Sequence, residues 1–133
     1  MEGQGVRILF DTHLVLWAAF AQRKMPVAMR EVLDDETTTP LLSVVAVWEV
    51  AIKAAKPRSN LPGDPRVLRR AMLEHGWHEL QVTGEHALAA GALPPIHGDP
   101  FDRMLMAQAT VEGALLLTVD KTVARYPGPV RLV

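Results

Sequence analysis

Two aspartates follow apolar runs that are typical of buried strands. Asp11 comes directly after Val6–Phe10, and Asp120 comes directly after Ala114–Val119. In a parallel α/β sheet the reactive crevice lies outside the carboxyl ends of the strands, so both carboxylates are expected at one edge of such a sheet. Each aspartate also has a purely structural interpretation, as the cap of the helix or turn that follows it.

Glu49 lies in an apolar segment where a carboxylate is costly. It is the only polar residue between Val44 and Ile52, in a segment that we predict to be a largely buried helix. Proteins avoid unpaired buried carboxylates, so Glu49 needs a partner. Lys53, four residues later, is one candidate, and a bound cation is the other.

Two further acids belong to the string DPFD. Asp99 precedes Pro100, an arrangement typical of a helix N-cap followed by a first-turn proline. Asp102 then falls at the third helical position, where an acid interacts favourably with the positive end of the helix dipole. We interpret Asp99 chiefly as a cap and Asp102 as a further candidate for the site.

Four carboxylates in one crevice would repel each other. At a separation of about 5 Å and an effective dielectric constant near 20, each ionised pair costs about 3 kcal/mol. Mg²⁺ or Mn²⁺ would offset this repulsion, because hard divalent cations prefer oxygen ligands and keep positions for water and substrate phosphates. Such a cation activates water and neutralises charge on a phosphodiester, which is nuclease chemistry. The predicted catalytic and metal-binding residues are Asp11, Glu49, Asp102 and Asp120.

Other kinds of active site find no support in the sequence. The chain has no cysteine, which removes thiolate metal sites and cysteine nucleophiles. His13, His86 and His97 lack the spacing of a zinc motif, and we expect them to be ordinary surface or core residues. No phosphate-binding loop, dinucleotide-binding motif or serine-hydrolase motif occurs.

Composition and charge fit one compact domain over residues 1–133. Hydrophobic residues make up 49% of the chain and charged residues 22%, as in globular proteins. The net charge of −1 provides no global basic field for nucleic acids. Glu2, Arg7 and Asp11 interrupt any leader or membrane span, so we expect a cytoplasmic protein without a membrane partner. Positive charge concentrates in a basic stretch that comprises Lys53, Lys56, Arg58, Arg66, Arg69 and Arg70.

Strand and helix patterns alternate along the chain. This alternation predicts an α/β fold with a mostly parallel sheet of about five short strands and helices on both faces. Pro40 is expected to confine its strand to a sheet edge or to shorten it. The predicted strands are 6–10, 37–42, 78–82, 114–119 and 130–132, and the predicted helices are 12–21, 27–33, 44–56, 65–74, 85–93 and 100–112.

In four segments the sequence resembles the PIN-domain family, and within it the toxin ribonucleases of bacterial and archaeal VapBC toxin–antitoxin pairs. The segments occur in the family's order and spacing, and the resemblance covers nearly the whole chain. They are LFDTH (Leu9–His13), SVVAVWEVAIK (Ser43–Lys53), LPPIHGDPFDRMLMAQA (Leu93–Ala109) and LLTVD (Leu116–Asp120).

The resemblance implies a single-domain PIN-like fold with an acidic metal site. In that site Asp11, Glu49 and Asp102 would coordinate Mg²⁺ or Mn²⁺, and Asp120 would complete the coordination directly or through water. One departure is that residues 121–124 hold no further acid, which some PIN nucleases carry there, so a second metal is not implied. The residues implied as support for the acids are Ser43, Thr118, Asp99 and Arg103.

The resemblance also implies partners. Members of this family are endoribonucleases that an antitoxin keeps inactive by laying its C-terminal segment across the active-site groove, and they commonly form homodimers. Structured RNAs such as tRNA are their usual substrates. A cognate VapB-like antitoxin, an RNA substrate and a homodimer are therefore expected. The basic stretch would hold RNA phosphates or meet an acidic partner.

Three alternatives to the toxin hypothesis can be stated from the sequence. The first is a PIN-domain nuclease of RNA processing without an antitoxin, which a chain length of 133 residues disfavours because no appended domain fits. The second is a catalytically silent PIN-fold binding module in which the acids only cap helices. The third, a phospho-accepting response-regulator domain, is disfavoured because Asp11 has no acidic neighbour after the first strand.

Overall fold

A five-stranded parallel sheet organises the chain. The computed structural model describes residues 5–133, so Glu2 lies outside the described residues. The strands are β1 (Val6–Phe10), β2 (Thr38–Ser43), β3 (His78–Leu80), β4 (Leu115–Thr118) and β5 (Val130–Leu132). Their spatial order is β3-β2-β1-β4-β5, and all four neighbouring pairs are parallel. The predicted fold class is therefore confirmed.

Within residues 5–133, six α-helices connect the strands, and their ends follow from the local sequence. Asp64 and Asp99 cap helices that begin with proline, and Gly113 ends the last helix with a φ of +66°. In the described part of the chain, no helix combines the length and apolar character needed to cross a bilayer. The helices are α1 (Thr12–Phe20), α2 (Val27–Asp34), α3 (Val44–Ala54), α4 (Pro65–Glu74), α5 (Gly84–Ala92) and α6 (Pro100–Glu112).

The core has two layers because successive strand residues point to opposite faces of the sheet. In β1, Phe10 packs into the layer that α1 and α3 cover, where its ring centroid lies 4.7 Å from that of Trp77. Its neighbour Leu9 packs into the opposite layer, beside Leu105 of α6. The central strand is thus buried on both faces, and its carboxyl end delivers Asp11 to the rim of the sheet.

The expectation that Pro40 places its strand at a sheet edge is wrong. β2 lies between β1 and β3, and Pro40 is opposite Ile8 of β1. However, β3 pairs only with Leu41–Ser43. At Pro40 the strand therefore has a neighbour on one side only, where the missing N–H of proline is tolerated.

Candidate active site

The four predicted acids meet in one cavity of about 210 Å³ at the carboxyl edge of the sheet. β1 and β4 deliver two of them at their ends, and α3 and the first turn of α6 deliver the other two. The same cavity is also lined by side chains that the sequence analysis did not connect with the acids. Its lining comprises Asp11, Thr12, His13, Glu49, Lys53, His97, Asp99, Asp102 and Asp120.

Asp11 ties the start of α1 to the end of β4. Its Oδ1 accepts a hydrogen bond of 3.0 Å from the Leu14 N–H, so Asp11 is indeed a helix cap. Its Oδ2 accepts from the Thr118 hydroxyl at 2.6 Å and from the Val119 N–H at 3.0 Å. Thr118, expected to support the acids, thus contacts Asp11 directly. An ionised carboxylate has about four acceptor positions, so Asp11 keeps capacity for another partner.

Glu49 is buried, and both of its oxygens have protein partners. The Thr12 hydroxyl donates to Oε1 at 2.6 Å, and the Lys53 ammonium lies 2.7 Å from Oε2. Of the two candidate partners of Glu49, Lys53 and a bound cation, Lys53 is therefore observed. Two donors do not fill the four acceptor positions of a carboxylate, so a cation can still bind here.

Asp102 carries the clearest electrostatic strain in the site. Burial, together with the nearby charges of Asp99, Glu49 and Asp11, raises the pKa of its carboxyl from 3.8 to about 7, whereas the charge of His97 lowers it. Asp99 itself accepts hydrogen bonds from the N–H groups of Phe101 and Asp102, as expected of a cap. The raised pKa therefore reflects burial of the carboxyl first and the neighbouring carboxylates second.

His97 stands between two of the acids. Its Nε2 lies 3.2 Å from Oδ2 of Asp102 and 3.6 Å from Oδ2 of Asp120. The Asp99 N–H donates to its Nδ1 at 3.2 Å, so in the neutral ring Nε2 carries the proton. In this arrangement His97 presents a hydrogen-bond donor to the acids rather than a free lone pair to a metal.

The loop before α6 is clamped so that His97 keeps this position. The Tyr126 hydroxyl accepts from the His97 N–H at 2.9 Å and donates to the His97 carbonyl at 3.0 Å. Arg103, the arginine of the DPFDR string, donates through its guanidinium to the main chain around this loop and to Tyr126 rather than to an acid. Its acceptors within 3.3 Å are the Ala90, Leu93 and Pro94 carbonyls and the Tyr126 hydroxyl.

Asp120 and Ser43 each cap the turn or helix that follows them. Asp120 Oδ1 accepts from the Thr122 N–H at 2.7 Å and so caps the following turn, while its Oδ2 faces His97. The buried Ser43 caps α3 through the Val45 N–H and donates to the Gln108 side chain. Ser43 therefore orients the helix that carries Glu49 without lining the acidic cavity.

The basic stretch is divided between two neighbouring cavities, which share Ser59 and Leu61. Lys53, Lys56 and Arg58 line a cavity beside the acids. Arg69 is paired with Glu79 through two hydrogen bonds of 2.6 and 3.0 Å, and it lines the neighbouring cavity together with Arg66. Arg70 is an exposed residue of α4.

Sequence reasoning missed two groups that contact the acids. His97 was expected to be a surface or core residue rather than a metal ligand, and the structure places it beside the acids; the signal for this was its position two residues before Asp99 in a proline-rich loop. The Thr12 hydroxyl had no signal, because its partner Glu49 lies 37 positions away.

The donor set fits a hard divalent cation better than a soft or thiolate-bound metal. Five of the nine lining residues are carboxylates, and the charges of three of them, Asp99, Glu49 and Asp11, contribute to the raised pKa of Asp102. Carboxylate oxygens of Asp102 and Asp120 lie within 4.8 Å of each other. Mg²⁺ and Mn²⁺ prefer such oxygen ligands and need few of them.

Comparisons with known proteins agree with this fold. The chain is 27% identical over 128 residues to Ribonuclease VapC22 of Mycobacterium tuberculosis (strain ATCC 25618 / H37Rv), covering 92% of this chain and 95% of the relative. VapBC2 of Rickettsia felis, bound to a DNA fragment of its promoter, superimposes with a TM-score of 0.71 at 16% identity, over 96% of this chain and 99% of that one.

Two other solved structures have the same fold. A toxin–antitoxin complex of Klebsiella pneumoniae gives a TM-score of 0.61 at 19% identity, over 93% of this chain and 95% of that one. DNA-bound VapBC of Salmonella typhimurium gives 0.62 at 17% identity, over 95% and 97%. The family model of the PIN domain matches residues 8–129. The chain therefore belongs to the PIN domain family.

Proposed function

We propose that this protein is a metal-dependent endoribonuclease and the toxin of a VapBC-like toxin–antitoxin pair. The observation that carries the proposal is the convergence of Asp11, Glu49, Asp102 and Asp120 in one cavity of a PIN-domain chain. The name of the curated relative, Ribonuclease VapC22, supports an RNA substrate. The Mg²⁺ or Mn²⁺ requirement rests on the chemistry of the carboxylate donors.

In this proposal each acid has a task that its contacts suit. Asp11 and Glu49 are anchored by hydroxyl and N–H donors, so they hold their remaining acceptor positions towards the cavity. Asp102 and Asp120 complete the negative site and face the Nε2 of His97. A bound divalent cation would supply an activated water and neutralise charge on the phosphodiester. Lys53 and His97 offer positive or hydrogen-bonding groups beside that phosphodiester.

Purified protein is expected to cleave single-stranded or loop RNA with Mg²⁺ or Mn²⁺ and to stop when EDTA is added. Asp11→Asn, prepared identically, should lose at least about 100-fold in rate, since it removes a charged group that stabilises the reacting centre. Gel analysis of end-labelled RNA measures the cleavage. Equal cleavage by both proteins would show that the activity comes from a contaminant and contradict the proposal.

A thermal melt separates the enzyme from the catalytically silent binding module. A real site binds Mn²⁺ only in the folded state, so Mn²⁺ should raise the melting temperature of wild type by mass action. The Asp11→Asn protein should show a smaller rise. No rise in wild type would favour the silent module.

The antitoxin partner is also a proposal. The three solved structures described above are VapBC or other toxin–antitoxin complexes, which supports a VapB-like antitoxin for this chain. A homodimer, a structured RNA such as tRNA as the substrate, and a cytoplasmic location stay predictions.

Expression of this protein alone is expected to arrest bacterial growth, because free nuclease would cut cellular RNA. Co-expression of the small gene beside its own gene should restore growth and give a co-purifying complex. Asp11→Asn, expressed to the same level, serves as the control and should not arrest growth. Normal growth with active wild-type protein would favour an RNA-processing nuclease without an antitoxin.

A further inference from the structure

A second cavity, of about 510 Å³, adjoins the acidic one. We call it the basic groove. The two cavities share His13 and Lys53, so one opens beside the other. The basic groove is lined by His13, Leu16, Trp17, Ala21, Lys24, Lys53, Lys56, Pro57, Arg58, Ser59, Asn60, Leu61 and Pro62.

The charge of the basic groove is uniform. Its lining includes four cationic side chains and no acid; the cations are Lys24, Lys53, Lys56 and Arg58. Three of these side chains have no ion pair among the described residues, whereas Lys53 is paired with Glu49 at the border with the acidic cavity. A polyanion that leaves the acidic cavity past Lys53 therefore meets positive charge only.

One section of the groove is apolar and partly aromatic. Leu16, Trp17 and Leu61 line it, and Trp17 is half-buried, so part of its ring remains accessible. The exposed His13 ring lies with its centroid 6.4 Å from that of Trp17, at the side of the acids. An aromatic platform bordered by cations is the arrangement that binds single-stranded nucleic acid, because bases stack on rings while phosphates meet the charges.

The loop that carries Arg58 is held in an unusual conformation. Arg58 has a φ of +61°, which a residue with a side chain rarely adopts. Such backbone positions are energetically unfavourable and occur often at ligand clamps. This conformation belongs to one of the four cations of the groove.

We propose that the basic groove binds the single-stranded nucleotides that flank the cleaved phosphodiester of an RNA. One base stacks against Trp17, and the phosphates lie against Lys24, Lys56 and Arg58. The proposal rests on the proposed ribonuclease function, because the shared border at Lys53 matters only if the phosphodiester lies in the acidic cavity. A duplex does not fit, since its bases are paired and stacked on one another. An acidic peptide would meet the same cations, but it carries no bases to stack against Trp17.

Binding in EDTA tests the groove without cleavage. The probe is a fluorescein-labelled single-stranded oligoribonucleotide of about ten nucleotides, followed by fluorescence anisotropy. Trp17→Leu removes the ring but keeps an apolar side chain, and it should weaken binding by about tenfold. Trp48→Leu, which removes an exposed tryptophan outside the groove, is its control and should change binding less than twofold.

Arg58→Asn provides a second variant that keeps the fold, because asparagine tolerates a positive φ. It should weaken binding. The plot of log K against log salt concentration should become less steep by about 0.7, the value for one lost phosphate contact on a single strand. Arg131→Ser, a cation on β5 outside the groove, should leave the slope unchanged. The same strand annealed to its complement should bind more weakly and without dependence on Trp17.

Three outcomes would overturn the groove proposal. The first is RNA binding that is unchanged in both Arg58→Asn and a folded Trp17→Leu protein. If Trp17→Leu does not fold, unchanged binding in Arg58→Asn alone is sufficient. Another is equal binding of the duplex. The third is an oligoglutamate peptide that binds more tightly than RNA with the same dependence on Arg58, which would assign the groove to a protein partner. Groove-dependent binding by a protein that never cleaves RNA would instead contradict the proposed nuclease function alone.

Discussion

Asp102→Asn is expected to make the metal-free protein more stable while it abolishes metal-dependent RNA cleavage. In the absence of metal, burial and the charges of Asp99 and Glu49 oppose ionisation of Asp102. Asparagine has a similar shape but no charge, so it removes both the cost of burying a charge and the repulsion from Asp99 and Glu49. Loss of the favourable dipole contact at the third position of α6 opposes the gain by about 0.3–1 kcal/mol.

The gain should depend on pH in a defined direction. The pKa of Asp102 is raised from 3.8 to about 7 in the folded protein, so between these values the folded state holds a proton that the unfolded state has lost. Stability of wild type therefore falls as the pH rises from about 4 to about 7. Asparagine carries no such proton, so the variant should match wild type near pH 4 and exceed it above pH 7.

The expected gain at pH 8 is about 2 kcal/mol. Each pKa unit corresponds to about 1.4 kcal/mol in a fully buried site, and partial access of solvent to this carboxyl reduces the full value. Urea unfolding in EDTA at pH 4 and pH 8 measures it. The same variant should lose Mn²⁺-induced stabilisation and at least about 100-fold in cleavage rate, an opposition between stability and activity that is common at charged sites.

Glu85→Gln is a matched control for this experiment. Glu85 is also a first-turn acid, at the start of α5, but it lies outside the acidic cavity. Its replacement removes a dipole contact without relieving repulsion, so it should destabilise slightly at pH 8. If Asp102→Asn is likewise less stable than wild type in EDTA, Asp102 is a structural capping residue and the acids do not repel each other as described.

Arg103→Met is expected to destabilise the protein and to slow cleavage, although Arg103 contacts no acid in the hydrogen bonds described. Its guanidinium joins α6 to the Ala90, Leu93 and Pro94 carbonyls and to Tyr126, which holds His97. A hydrogen bond to a charged donor contributes about 1.5–3 kcal/mol when buried. Because this side chain is only partly buried, we expect a total loss of about 3 kcal/mol.

Arg103 is a positioning residue, so its effect on activity should pass through the loop. A displaced His97 no longer faces Asp102 and Asp120, and misplaced groups of this kind cost about 100-fold in rate. The loss should appear in kcat more than in KM, because the basic groove is unchanged. Urea unfolding and single-turnover cleavage measure the two effects.

Two other substitutions make the Arg103 experiment specific. Arg103→Lys keeps the charge but has no planar fork, so it should rescue only a small part of both losses. Arg30→Met removes an arginine that also donates to two main-chain carbonyls, those of Gln22 and Met25, away from the site. It should lower stability slightly and leave kcat unchanged. Full activity in a folded Arg103→Met protein would show that the clamp does not position the site.

The sequence alone determined those parts of the fold that depend on local chemistry. The predicted bounds of α4 and α6 coincide with the observed ones, because Asp-Pro caps and Gly113 act within one helical turn. Strand β1 and the position of Asp11 after it were equally readable, since a short apolar run followed by an acid has a simple physical meaning. The four acids could be named for the same reason, because each interrupts or ends an apolar segment.

Only the tertiary structure decided what surrounds those acids. The Thr118 hydroxyl reaches Asp11 across 107 positions of sequence, and Thr12 reaches Glu49 across 37. The approach of His97 to Asp102 depends on Tyr126, which comes from a turn after β4. Pro40 is tolerated in an interior strand because the pairing of β2 with β3 begins only at Leu41, one residue after Pro40. Local patterns encode helices, strands and caps, whereas these contacts arise when distant elements pack against each other.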